Sequence, residues 1–270
     1  MISVFRRKGS KSKTTERSRV RPRWYLELAV IAIFYGIYSA VRNTFGSAAV
    51  EPAEAQANAE LIIRWERKIG LYFERWLQDL FIDWVWFIQF WNLFYGLFHF
   101  AVTAFALIWL YWCFPRHYPF WRTTGLMTTG LALVGFALFP LMPPRLLAAG
   151  GDYGGTMADT GYVDTVAEIG GLWSFTEGAV EQVSNQYAAM PSLHFAWSLW
   201  CFLALRPHLT RPLSKVAMAA YPWLTLFAIL VTANHYWLDA VGGLGALSVG
   251  AGLAWAYHRW RNTDSTRRSG

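Results

Sequence analysis

Charge is what this sequence has least of. Only 15% of its 270 residues are Asp, Glu, Lys or Arg, while 55% are hydrophobic and 18% aromatic; soluble domains carry about 25% charged residues. The shortage excludes a surface solvated by water all round and makes lipid the solvent for much of it. Cysteine is nearly absent as well. Cys113 and Cys201 fall within or at the end of apolar stretches, neither at metal-ligand spacing from a partner, so they read as packed thiols. Basic residues are missing from the stretch 143–189 except for Arg145, which is set against Asp152, Asp159, Asp164, Glu168, Glu177 and Glu181.

The net charge of +7 is local rather than general. Residues 1–23 hold Arg6, Arg7, Lys8, Lys11, Lys13, Arg17, Arg19, Arg21 and Arg23 against one acid, Glu16, which accounts for the whole excess. A short basic tail directly before an apolar run serves cytoplasmic retention and attraction to anionic lipids, which argues against nucleic acid as a partner. The first apolar run, Trp24 to about Phe45, is longer than the roughly 7–15 residues of a signal-peptide core. Although Ser47-Ala48-Ala49 resembles a cleavage site, the run reads as a retained helix. Further candidate spans lie at about 91–113, 124–142, 190–206, 215–234 and 236–257, six in all.

Lys and Arg in short loops mark the cytoplasmic side. Arg116 and Arg122 lie between spans two and three, Arg206, Arg211 and Lys215 between four and five, and Arg259, Arg261, Arg267 and Arg268 after span six. Both termini are therefore expected inside, with 46–90 and 143–189 outside. The expected architecture is all-α: a polytopic membrane helix bundle of about six transmembrane helices with an outer amphipathic helix and a long outer loop. It divides into a basic cytoplasmic tail (1–23), a membrane-embedded domain (24–258) and a second cytoplasmic tail (259–270).

In the first outer segment Leu61, Ile62, Trp65, Ile69, Tyr72, Phe73, Trp76, Leu77 and Leu80 recur at helical spacing among Glu60, Arg64, Lys68, Glu74 and Arg75. This predicts an amphipathic helix lying on the membrane or packed over the bundle, continued by Trp84-Val85-Trp86-Phe87. The 143–189 segment is Gly-rich without a long apolar period, and a connection of that length is usually a lid or substrate loop.

Ala189-Met190-Pro191-Ser192-Leu193-His194 opens span four, and Asn234-His235-Tyr236-Trp237-Leu238-Asp239 opens span six. By the loop charges both openings face outside, so two histidines and an aspartate reach one depth of one bilayer face. Each ionisable group there costs about 2.5–3.5 kcal/mol on insertion scales, which argues against a chance cluster. His235 and Asp239 are four apart, hence one helical turn apart on the same face. The carboxylate can then hold one ring nitrogen and leave the other as nucleophile or base, while His194 supplies the complementary acid. The competing chemistry is a zinc site built on His-x3-Asp and the distant histidine, which the lack of Cys or a further carboxylate in these motifs disfavours.

These residues resemble the type-2 phosphatidic acid phosphatase superfamily, whose second and third signatures look like Pro191-Ser192-x-His194 and His235-x3-Asp239. More narrowly the chain is similar to the branch that includes inositol phosphorylceramide synthases, through Glu66-x3-Gly70-x3-Glu74-x3-Gln78, Asn92-x2-Tyr95-x3-His99 and Pro143-Pro144-Arg145-Leu146. The resemblance spans roughly residues 55–255. It implies that the embedded domain is a phosphatase or phosphotransferase acting on a phospholipid or isoprenoid phosphate; no cofactor and no metal are expected. It further implies that His235 attacks phosphorus, Asp239 orients it, His194 protonates the leaving oxygen, and Arg145 and Ser192 hold the phosphoryl oxygens. The superfamily's first signature, a Lys followed by Arg-Pro, is absent, and only Pro-Pro-Arg145 stands near its place.

Asn92, Tyr95 and His99 share one face of span two, either as an interhelical hydrogen-bond set or as the wall of a headgroup cleft. A histidine-relay transporter is the alternative from another class; internal repeats and broken midplane helices, which would mark one, are not visible. Water or alcohol as acceptor distinguishes a lipid phosphatase, of isoprenoid or phosphatidate type, from a transferase. The synthase resemblance leans towards transfer.

Overall fold

The computed structural model describes residues 22–45, 50–147, 160–170 and 186–267. The basic tail as far as Arg21, the Ser47-Ala48-Ala49 stretch and most of the long loop, 148–159 and 171–185, lie outside the described residues. About 80% of the described residues are helical and no strand forms among them; a single bridge there joins Leu141 and Ala188. The helices are α1 (Trp24–Phe45), α2 (Pro52–Lys68), α3 (Glu74–Phe81), α4 (Val85–Cys113), α5 (Tyr118–Leu138), the single turn α6 (Thr165–Glu168), α7 (Leu193–Leu205), α8 (Pro212–Val231) and α9 (Trp237–Arg267). Proline opens both α2 and α8, where its missing N–H loses no bond.

Among the described residues, three helices are long and apolar enough to cross a membrane: α4, α8 and residues Trp237–Asp264 of α9. Their outer faces carry Phe98, Phe105, Ile108 and Trp112 on α4, Val216 and Trp223 on α8, and Val249, Leu253 and Trp255 on α9, all exposed. Such faces suit a hydrocarbon solvent in which every backbone group is already bonded within its helix. Helix α7 has only 13 residues, about 20 Å of rise, short of the roughly 30 Å hydrocarbon core. It is also the hub of the bundle, lengthened at its ends by the 190–192 lead-in and the Arg206–His208 turn. Its Trp200, Cys201, Ala204 and Leu205 pack with Trp91, Phe94 and Leu110 of α4, Tyr221, Ala228 and Val231 of α8, and Leu247 of α9.

Several expected boundaries move. The helix anticipated over 61–80 is two helices, because Gly70 takes a left-handed φ of 73° that turns the chain between α2 and α3. The aromatic run 84–87 instead opens α4, with Trp84 at its N-cap and Val85 as its first residue. Arg122, read as a loop cation, lies within α5 and forms an ion pair with Glu27 of α1 at 2.5 Å; the Tyr118 hydroxyl donates to the same carboxylate at 2.9 Å. A second cluster roofs the helix ends: Ala55, Ala59, Ile62 and Ile63 of α2 pack with Leu141, Met142, Leu146, Leu147, Tyr187 and Tyr236.

Candidate active site

Two chain segments meet at the roofed end of the bundle. The first is Met190–His194, leading into α7, with Ser192 as its N-cap, its Oγ accepting from Phe195 N–H at 3.4 Å. The second runs from the end of α8 into α9 through Ala233, whose φ of 53° is rare for a residue with a side chain. The two are joined by a backbone bond, Ser192 N–H to Asp239 C=O at 2.9 Å. They approach this closely because α9 presents Gly243 there: a Cβ at that position would overlap Ser192 C=O.

The joining brings His194, His235 and Asp239 together. Asp239 is fully buried and His235 3% exposed. Asp239 Oδ2 lies 3.1 Å from His235 Nδ1 and accepts Tyr236 N–H at 2.9 Å. A carboxylate cannot donate, so Nδ1 carries the hydrogen and Nε2 presents its lone pair. That lone pair points at His194 Nδ1, 3.4 Å away. Of the span-two trio, Tyr95 stacks on His194 with ring centres 4.2 Å apart, and His99 lies 4.1 Å from the same ring while its Nδ1 donates to Tyr95 C=O at 2.9 Å. Asn92 does something else. Its Nδ2 donates to Thr165 C=O and Gly170 C=O at 2.9 and 2.8 Å, anchoring the α6 turn.

Arg145 stands beside this centre, its N–H donating to Ala233 C=O at 2.7 Å. Its guanidinium donates to Asp164 Oδ2 at 2.9 Å and to Gln186 Oε1 at 2.8 Å, leaving the buried Nε–H without a partner among the described residues. Ser192, the other expected phosphate ligand, is fully buried at the α7 cap. Asp164 and Gln186 come from the Gly-rich loop, where no periodicity marks any residue, and sequence reasoning missed them. The loop is also gripped by Gln78, whose amide pairs with Val163 C=O at 2.9 Å and Val163 N–H at 3.0 Å.

At the start of α9 three consecutive backbone N–H groups find side-chain acceptors. Tyr236 N–H goes to Asp239 as above, Trp237 N–H to Glu74 Oε1 at 3.0 Å, and Leu238 N–H to Glu66 Oε1 at 3.4 Å. Glu74, placed by its spacing on the polar face of an outer helix, is thus wholly buried, as is Glu66. Burial, with the neighbouring Glu74 adding to it, pushes the Glu66 carboxyl up to about 10. Burial raises Glu74 too, against the pull of the Trp237 N–H. Among the described residues no three His, Cys, Asp or Glu side chains converge as metal ligands.

A family model described as the PAP2 superfamily matches residues 60–253. No curated protein and no solved structure matches the chain.

Proposed function

The chain belongs to the PAP2 superfamily, as the match over 60–253 shows, and from that premise we propose that it is an integral membrane lipid phosphatase or phosphotransferase working through a phosphohistidine on His235. The observation carrying this reading is the aligned chain Asp239, His235, His194, with Nδ1 of His235 tied down and Nε2 free to react. Membership and the apolar helices fit a membrane phosphoric ester hydrolase at the general level; the rest is our reading.

In the first step Nε2 of His235 forms a bond to phosphorus as the bond to the alcohol oxygen breaks, and His194 gives that oxygen a proton. The 3.4 Å between Nε2 of His235 and Nδ1 of His194 leaves no room for a phosphoryl group, so substrate entry parts them. Arg145, through its unpaired Nε–H, and Ser192 serve the phosphoryl oxygens. Tyr95 and His99 brace His194 and wall the headgroup cleft, with Asn92 holding the loop beside it. In the second step His194 takes a proton from the acceptor, whose oxygen displaces Nε2. Water gives a phosphatase; an alcohol gives headgroup transfer, towards which we lean.

The substrate is a phospholipid or isoprenoid phosphate within the bilayer. Six spans, cytoplasmic termini flanking an embedded domain of 24–258, and a site on the non-cytoplasmic face complete the proposal, with the basic tail resting on anionic lipid. Rapid quench with a labelled lipid phosphate tests it: acid-labile label should sit on His235, and H235A should hold none. Normal turnover by H235A would remove the mechanism. Alcohols that leave phosphate release unchanged would select the phosphatase.

A further inference from the structure

Two carboxyl groups that the proposed chemistry does not use meet beneath the site. Glu66 of α2 and Glu74 of α3 are both fully buried, on helices outside the candidate spans. Each accepts one N–H from the first turn of α9, the turn that carries Asp239 and begins two residues after His235. Trp237 is fixed a second time by its indole N–H, which donates to Leu71 C=O at 2.8 Å in the turn between α2 and α3.

Two ionised carboxylates this close and this dry would repel each other strongly. Glu66 Oε2 is buried and meets no donor among the described residues, while Oε1 of each acid accepts the N–H of one of two adjacent residues, Leu238 and Trp237, which sets the two carboxyls side by side. A hydrogen on Oε2 resolves both facts, because it supplies a donor to the Glu74 carboxylate and removes one of the two charges.

We propose that Glu66 and Glu74 share one proton, Glu66 as the neutral acid and Glu74 as the anion, and that the pair positions His235 and Asp239 by holding the N-terminus of α9. The proposal rests on the reading of His235 as nucleophile. The anion suits the helix end, where the peptide dipoles concentrate positive potential. The upward push on both carboxyls has the direction of a retained proton. Facing the pair are Asp239 and Tyr236 from the α9 side and Tyr72 from the α2–α3 turn; Arg67 lies over the Tyr72 ring at 4.9 Å, and Tyr162 approaches from the loop. Glu66 and Glu74 are positioning residues, reaching the chemistry only through the backbone of α9.

The test uses the full-length protein in lipid nanodiscs, as wild type, E66Q and E74Q. Infrared spectra should show a neutral-carboxyl band that shifts in D2O, disappears in E66Q, and in the wild type fades only as pH passes about 10. Turnover of a lipid phosphate should follow the same asymmetry. E66Q, which copies the neutral acid, should keep kcat within about threefold and lose any alkaline fall in kcat that tracks the band. E74Q should lower kcat by about ten- to a hundredfold with KM little changed, the scale of a misplaced catalytic group. A band unchanged in E66Q, or absent from the wild type at neutral pH, overturns the shared proton whatever the activity. Wild-type kcat in E74Q overturns the positioning role. Because the band is read without substrate, an error in the assigned reaction would leave the infrared result standing and so be told apart from an error in the pair.

Discussion

At the residue scale, the proposed mechanism has the hydrogen bond from His235 to Asp239 divide the work of the imidazole between its two nitrogens. D239N keeps the shape of that partner and removes the charge that favours Nδ1–H, so kcat should fall by roughly 10²–10⁴-fold with the fold intact, a loss that steady-state kinetics would read directly. Arg145 is held by Asp164 and Gln186 at once, a geometry that a planar fork meets and an ammonium does not. R145K should therefore raise KM about tenfold or more and loosen the loop; an unchanged KM would remove Arg145 from phosphate binding. The Glu66 carboxyl makes a stability prediction separate from activity. Its pKa in the folded protein is raised from 4.5 to about 10, so the native state binds more protons than the unfolded state between those values and stability falls as pH rises through that window. In E66Q this slope should vanish, and melting curves across the window check it. The histidines and Asp239 were legible in the sequence because chemistry-bearing residues at two helix openings stand out in an apolar chain. Glu66 and Glu74 were legible only as spacing, since a carboxylate at helical period among aromatics reads as a wet face until the fold shows what covers it.

At the element scale, the site depends on two segments being pressed together where α9 has no side chains to keep them apart. G243V would place a branched side chain against Ser192 C=O and push Met190–His194 away from His235. The expected outcome is a kcat loss of about a hundredfold in a protein that still reaches the membrane, read by activity beside a thermal melt. Ala233 is the second pressure point. It is fully buried and left-handed, and a β-branched residue there has neither the conformation nor the room. A233V should cost about 2 kcal/mol or more, visible as a lowered melting temperature. The long helices α4 and α9 were foreseeable from apolar length, and their ends shifted by several residues because aromatic interface residues continue a helix as readily as they cap it. The break at Gly70 was hidden by an apolar period that runs through it without a slip. The α6 turn could not be foreseen at all: its place is set by Gln78, Asn92 and Arg145, three side chains distant in sequence.

At the scale of the whole molecule, the proposed topology puts 150–180 on one face and 206–214 on the other. Single cysteines in each set, probed with an impermeant reagent from outside, should label in the first and not the second; the reverse pattern would put the site on the cytoplasmic side. Activity should survive chelators and yield to vanadate, and a loss with EDTA that zinc restores would move the chemistry to a metal. One feature of the bundle bears on how the molecule is made rather than how it works. Helix α1 packs mainly on α5, pinned by Glu27 to Arg122 and Tyr118, and the family match begins at residue 60, beyond it. Every side chain of the site lies further along. During synthesis α1 leaves the ribosome ahead of the other helices described above, with the basic tail before it, and on the proposed topology it is the crossing that decides which way the later ones run. A chain begun at residue 50 would then be expected to assemble the same pocket in two opposite orientations, so that the first helix acts as the compass of biogenesis and takes no part in the chemistry.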